Sequence, residues 1–171
     1  MRRILWFLAG VLFICLPASA QKEAPVFEVS GTYSYLYASE TKSNFNGGSG
    51  SFALNVHPWL GLVADVGGYH QSVGVGAKST NIVTYLFGPR LYYREDRRVT
   101  PYVQVLFGGA YDTRRDASTL AMSAGGGFDV RVAPHVALRV AQAEYLLTRF
   151  GTSTQNNLRV STGIVFQFGR E

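Results

Sequence analysis

Beyond its first twenty residues the chain has no cysteine, no apolar run of helical membrane length and no strong charge of either sign. The one cysteine, Cys15, lies inside the amino-terminal apolar stretch, so the remainder of the chain can form no disulfide and offers no thiolate to a metal. No later apolar run approaches the ~20 residues that a membrane helix needs, so a bilayer could be crossed only with strands. Taking Arg2 and Arg3 from the 16 Lys+Arg leaves 14 against 11 Asp+Glu, a formal +3 that is too mild for a nucleic-acid footprint. Of the three histidines, His57 and His135 sit beside prolines in short turns, with no partner at metal-ligand spacing. No metal, cofactor or nucleic acid is expected.

Residues 1–20 read as a secretory leader. Arg2 and Arg3 form a positive start, Ile4 to Leu16 an apolar core, and Ala18-Ser19-Ala20 a small-residue cleavage site. The core is too short to span a membrane, and Ile14 is bulky where a lipoprotein signal before Cys15 needs a small residue. Cleavage after Ala20 is expected, leaving 21–171 as a single exported domain.

What the chain does have is 19 glycines, 10 tyrosines and 11 phenylalanines, the materials of a twisted sheet with aromatic belts. Its last stretch, 158–168, sorts by parity. Leu158, Val160, Thr162, Ile164, Phe166 and Phe168 share one face; Arg159, Ser161, Gly163 and Gln167 share the other, with Val165 the exception. Seven earlier segments repeat the pattern. They run over 26–37, 49–57, 60–69, 82–93, the stretch between the turn at 94–98 and a loop at 112, then 120–132 and 136–147. Two irregularities are expected: an outward bulge at Pro89, which cannot donate to a ladder, and a bulge near Ala141, after which Gln142 and Glu144 would otherwise face outward.

Eight segments are an even number. The connections at 38–48, 70–80, 112–118 and 148–157 are long and polar, whereas those after the second, fourth and sixth segments are short. Trp59, Tyr93 and Phe168 fall near the short-turn ends and Tyr35, Tyr37, Tyr85 and Tyr111 near the others, as two aromatic girdles would. The expected fold is all-β, an eight-stranded antiparallel up-and-down transmembrane β-barrel with both termini on the short-turn, periplasmic side.

With Leu60-Gly-Leu-Val-Ala-Asp-Val-Gly-Gly68, Leu86-Phe-Gly-Pro-Arg90, the Asn156-Asn-Leu-Arg159 strand start and the closing Phe166-Gln-Phe168, the chain resembles the OmpA-like family of eight-stranded outer-membrane barrels, as a small single-barrel member. It departs from that family in two ways: no peptidoglycan-binding domain follows, and Gly169-Arg170-Glu171 trails the terminal aromatic. The resemblance implies a place in the bacterial outer membrane, lipid as surroundings, and the barrel-assembly machinery and periplasmic chaperones as partners during biogenesis. Ile164, Phe166 and Phe168 would be the terminal assembly signal.

An eight-stranded barrel has an interior that side chains just fill. Parity places Glu28, Asp65, Arg90, Asp129, Arg131, Arg139 and Arg159 there, joined by Glu144 if the bulge exists. These near-balanced charges would either neutralise one another as a salt-bridged polar plug or be hydrated singly in a small lumen. In the first case conductance is small at most, and removing Asp129 or Arg139 would raise it. The expected role is structural or surface-interacting, without enzymatic activity.

Two alternatives stand beside that role. A periplasmic lipocalin-like binding barrel would turn the apolar faces inward around a ligand. Outer-membrane lipid A deacylases, which this chain resembles as an eight-stranded barrel with a His-x-Ser pair, point to His70-Gln-Ser72; a serine nucleophile needs its base oriented by a third group, and no acidic residue is placed to supply it. Gly74-Val-Gly-Ala-Lys-Ser-Thr80 resembles a phosphate loop, but Ala77 stands where glycine is required, so it reads as a polar connection.

Overall fold

The computed structural model describes residues 24–38, 43–71, 80–95, 98–113, 117–150 and 153–169. The eight strands are β1 (Phe27–Ala38), β2 (Ser43–His57), β3 (Leu60–Gln71), β4 (Thr80–Tyr92), β5 (Val99–Asp112), β6 (Ala117–Ala133), β7 (Val136–Phe150) and β8 (Ser153–Phe168). Each pairs antiparallel with its neighbours in sequence, and β1 pairs with β8, which closes the barrel and leaves no sheet edge. The leader at 1–20 and the phosphate-loop-like connection lie outside the described residues, apart from Thr80, which opens β4.

The register fixes how the strands lean. Starting at Phe27, successive cross-strand partners are Leu54, Leu62 and Pro89; Pro89 stands opposite Val105, which leads on through Ala124, Tyr145 and Leu158 to Tyr37. The circuit returns to β1 ten residues higher (37 − 27), the stagger that goes with tilted strands in a closed barrel. Every residue on that circuit is apolar or aromatic, and most are well exposed: Tyr145, Leu158 and Leu54 keep more than two fifths of their surface, and elsewhere on the outer face Val66 and Phe87 keep about three fifths. Apolar side chains around the whole outer wall are what a hydrocarbon surrounding requires. They also rule out the lipocalin-like reading, in which these residues would line the inside.

The start of β1, the end of β8 and the connections at 58–59, 93–98 and 134–135 share one end of the barrel, the turn end; the other end is the loop end. Trp59, Tyr93 and Phe168 project outward at the turn end and Tyr35, Tyr37 and Tyr85 toward the loop end, whereas Tyr111 is half-buried. The bulge in β7 is present. Phe128 faces Ala141 and Asp129 faces Arg139, so Val140 is extra, and beyond it Gln142 and Glu144 turn inward while Tyr145 turns out.

Two expectations fail. Pro89 makes no bulge: Phe87 faces Phe107 and Arg90 faces Gln104, an unshifted register, and the proline's missing N–H is absorbed as a gap in the β4–β5 ladder alone. Two of the four long polar connections, 38–48 and 148–157, are largely strand. β2 begins at Ser43, β7 runs to Phe150 and β8 begins at Ser153, so only 39–42 and 151–152 separate β1 from β2 and β7 from β8, fewer residues than the 93–98 connection at the turn end. Asn46-Gly-Gly-Ser49 reads as loop by composition, yet it pairs with β1 on one side and with β3 on the other. Pairing satisfies its backbone whatever its side chains are.

Candidate functional site: the barrel interior

The charged residues meet because they are cross-strand partners. Asn55, Gly61, Arg90, Gln104, Gly125, Glu144 and Arg159 follow one another strand to strand from β2 to β8, all on the inward face. Arg90 donates its Nε to Gln104 Oε1 at 2.7 Å, and Arg159 donates its Nε to Glu144 Oε2 at 2.6 Å. Between them stands Gly125, a wall position without a side chain, and across it the Gln104 amide donates to Glu144 Oε1. A Cβ at Gly125 would lie 2.9 Å from Glu144 Cγ. The next inward circuit repeats the device: Tyr102 reaches past Gly127 to donate to Gln142 Oε1 at 2.8 Å, and a Cβ at Gly127 would lie 2.9 Å from the Tyr102 hydroxyl.

Four carboxylates each have an arginine. Arg139 holds Asp129 bidentately, Nε on Oδ1 at 2.9 Å and NH2 on Oδ2 at 3.0 Å, and its NH1 donates to Gln142 at 3.1 Å. Arg159 binds Glu144 with two nitrogens and donates NH1 to Asp65 at 3.1 Å and to the Tyr69 hydroxyl at 2.7 Å. Nearer the turn end, Glu28 accepts from Arg94 at 3.0 Å, Tyr92 at 3.0 Å and Asn55 at 3.3 Å. Glu144 additionally accepts from Gln142 at 2.8 Å and Ser123 at 3.0 Å. The guanidinium of Arg94 lies over the Tyr92 ring at 4.0 Å, and those of Arg90 and Arg139 lie over Tyr102 at 4.5 and 4.9 Å.

Glu28, Asp65, Arg90, Asp129, Arg139, Glu144 and Arg159 are all buried inside the barrel. Arg131 is different. It stands half-buried beside the β6–β7 turn, its backbone N–H on Arg98 O at 2.8 Å. Residues that charge-based reading passed over are Arg94, assigned to a turn, the phenols Tyr69, Tyr92 and Tyr102, and Gln142 as a hub; inward parity opposite a glycine was the available signal for the last two.

The interior is not polar throughout. Leu36, Phe45, Leu86, Leu106 and Leu146 are buried in one cluster with Tyr69 and several alanines. On six strands a buried apolar residue lies nearer the loop end than a charged or amide one, Leu36 beyond Glu28, Tyr69 beyond Asp65, Leu86 beyond Arg90, Leu106 beyond Gln104, Ala121 beyond Asp129 and Leu146 beyond Glu144, whereas on β8 Arg159 lies beyond Val165 and on β5 the buried Asp112 lies beyond Leu106. The filling is therefore graded, its large apolar side chains concentrated toward the loop end and most of its charges toward the turn end, with Arg159 paired beside Leu36 and Asp65 beside Leu86 where the two meet. Parity assigns faces and carries no information about depth, which is why an all-polar filling was expected.

At the loop end the exposed His70 has its Nδ1 2.6 Å from Asn81 Oδ1, its cross-strand partner, so the orienting group that sequence did not supply is an amide; Ser72 lies outside the described residues. At the seam, Phe168 stacks on Phe27 at 5.2 Å and Phe27 on Phe52 at 6.1 Å, while Ile164 and Phe166 face outward beside them. Among the described residues no cluster of three or more potential metal ligands occurs, and no helix is long and apolar enough to cross a membrane.

The family model described as outer membrane protein beta-barrel domain matches residues 6–170. Among solved structures, the chain is similar to Neisserial surface protein A, at 13% identity and a TM-score of 0.61 over 83% of this chain and 96% of that one. It is also similar to the attachment invasion locus protein Ail of Yersinia pestis, at 11% identity and a TM-score of 0.51 over 85% and 100%. A de novo designed transmembrane β-barrel gives 22% identity and a TM-score of 0.52 over 87% and 99%. At these identities the likeness is one of fold. No curated protein matches the chain.

Proposed function

We propose, from the premise that the chain belongs to the outer membrane protein β-barrel domain family, that it is a sealed barrel of the bacterial outer membrane with a structural or surface-interacting role, neither an enzyme nor a solute pore. The observation that carries this reading is the interior, where four carboxylates are bound to arginines and a cluster of buried apolar side chains from seven strands lies beside them. Periplasmic termini, the barrel-assembly machinery and periplasmic chaperones as biogenesis partners, and Ile164, Phe166 and Phe168 as the assembly signal belong to the same proposal.

One observation favours the lipid-hydrolase alternative, the His70–Asn81 contact at the loop end. An amide can fix a histidine tautomer, but among the described residues no hydroxyl joins the pair, and the sealed-barrel reading accounts for far more of the molecule. Planar-bilayer recording of the folded chain tests it. Silence, or rare small openings, is expected, and a large steady conductance would refute it.

A further inference from the structure

We infer that the permeability seal is the apolar layer at the loop half, centred on Leu86, Leu106 and Leu146, and that the charge network beneath it is not the seal. This rests on the sealed-barrel reading and specifies which stratum does the sealing. An ion can exchange its water for polar and charged groups, as it does wherever rings of such groups line a channel, so a charge network alone is a poor barrier. Leucine and phenylalanine side chains supply no such ligands, and ions and water passing among them lose hydration that the few buried hydroxyls at this depth, Thr84 and Ser123 among them, do not replace. Here Leu106 is fully buried, Leu146 and Leu36 nearly so, and the cluster joins residues from seven of the eight strands, so it covers the section rather than one wall. The layer meets the network at Tyr69, whose ring belongs to the apolar cluster and whose hydroxyl accepts from Arg159. Opening a salt bridge thus leaves the layer above it in place, and the expectation that removing Asp129 or Arg139 raises conductance gives way to one of little change.

The test compares three forms of the chain folded into the same planar bilayers: unaltered, Leu106→Ser with Leu146→Ser, and Asp129→Asn with Arg139→Gln. Folding of each is checked by heat-shifted gel mobility. The leucine pair variant is expected to raise mean conductance at least about tenfold, equivalent to about 1.4 kcal/mol off the crossing barrier. The charge pair variant is expected to stay within about twofold of the unaltered chain, less than about 0.5 kcal/mol on the same conversion. Conductance that rises in the charge variant, or that stays at baseline in a folded leucine variant, overturns the inference while leaving the sealed barrel standing. Steady conductance of the unaltered chain removes the sealed barrel itself. Should the leucine pair fail to fold, Leu106→Ser alone is judged against the same charge variant by the same criteria.

Discussion

Arg159 is the residue whose loss the structure penalises most. Its side chain is 0 % exposed, and its guanidinium binds Glu144 through two nitrogens, Asp65 at 3.1 Å and the Tyr69 hydroxyl at 2.7 Å. In Arg159→Met the stem still packs, but two buried carboxylates lose their cation. The two are left in different positions. Glu144 retains donors from Gln104, Gln142 and Ser123, whereas Arg159 is the one ion partner seen for Asp65 among the described residues. Removing one member of a buried pair costs roughly 3–5 kcal/mol, because the charge that remains is uncompensated. The expected loss is therefore about 3–5 kcal/mol, most of it from Asp65. Neutralising the whole group in Arg159→Met/Glu144→Gln/Asp65→Asn should recover most of it, to within about 1–2 kcal/mol of the original, since replacing a complete ion network with neutral groups is often nearly cost-free. Urea unfolding of the refolded barrel in vesicles measures both, with Trp59, which lies in the β2–β3 turn and is the one tryptophan beyond the leader, as the fluorescent probe. A single variant within about 1 kcal/mol of the original would refute the argument by showing these groups to be hydrated singly. A triple variant no better than the single would show that packing, not charge, holds the site.

Two further outcomes rest on geometry. Gly125→Val should lower stability by about 1–3 kcal/mol through overpacking, because its Cβ would meet Ala143 O and Glu144, whereas Gly68→Ala, whose Cβ meets nothing within 4 Å, should stay within about 0.5 kcal/mol in the same urea titration. Phe168→Ala removes the outer half of the aromatic stack at the β1–β8 seam and should reduce the folded, heat-modifiable fraction recovered from cells; an unchanged yield would count against a role for this residue in assembly.

What could be read from the residues, and what could not, divides along a physical line. Faces were legible because lipid and lumen impose opposite demands at every second position, so Phe166 and Gln167 declare themselves one residue apart. The β7 bulge was legible for the same reason, as a parity failure that only an extra residue repairs. Above the lipid-facing belt the demand lapses. From Ser43 to Gly48 the outward positions Asn44, Asn46 and Gly48 are polar or glycine, so composition suggests loop while the backbone continues its ladder with β1. Depth is harder still, since which inward residues meet depends on the stagger accumulated around the barrel. Asp65 and Arg159 are 94 residues apart and touch only because of it. A charge moved by two positions along any strand keeps its face but changes its depth. Sequence patterns of period two therefore constrain a transmembrane barrel's wall tightly and its filling loosely, and exchanging Arg90 with Gly88, two positions nearer Leu86, would preserve every parity rule while driving a cation toward the apolar layer.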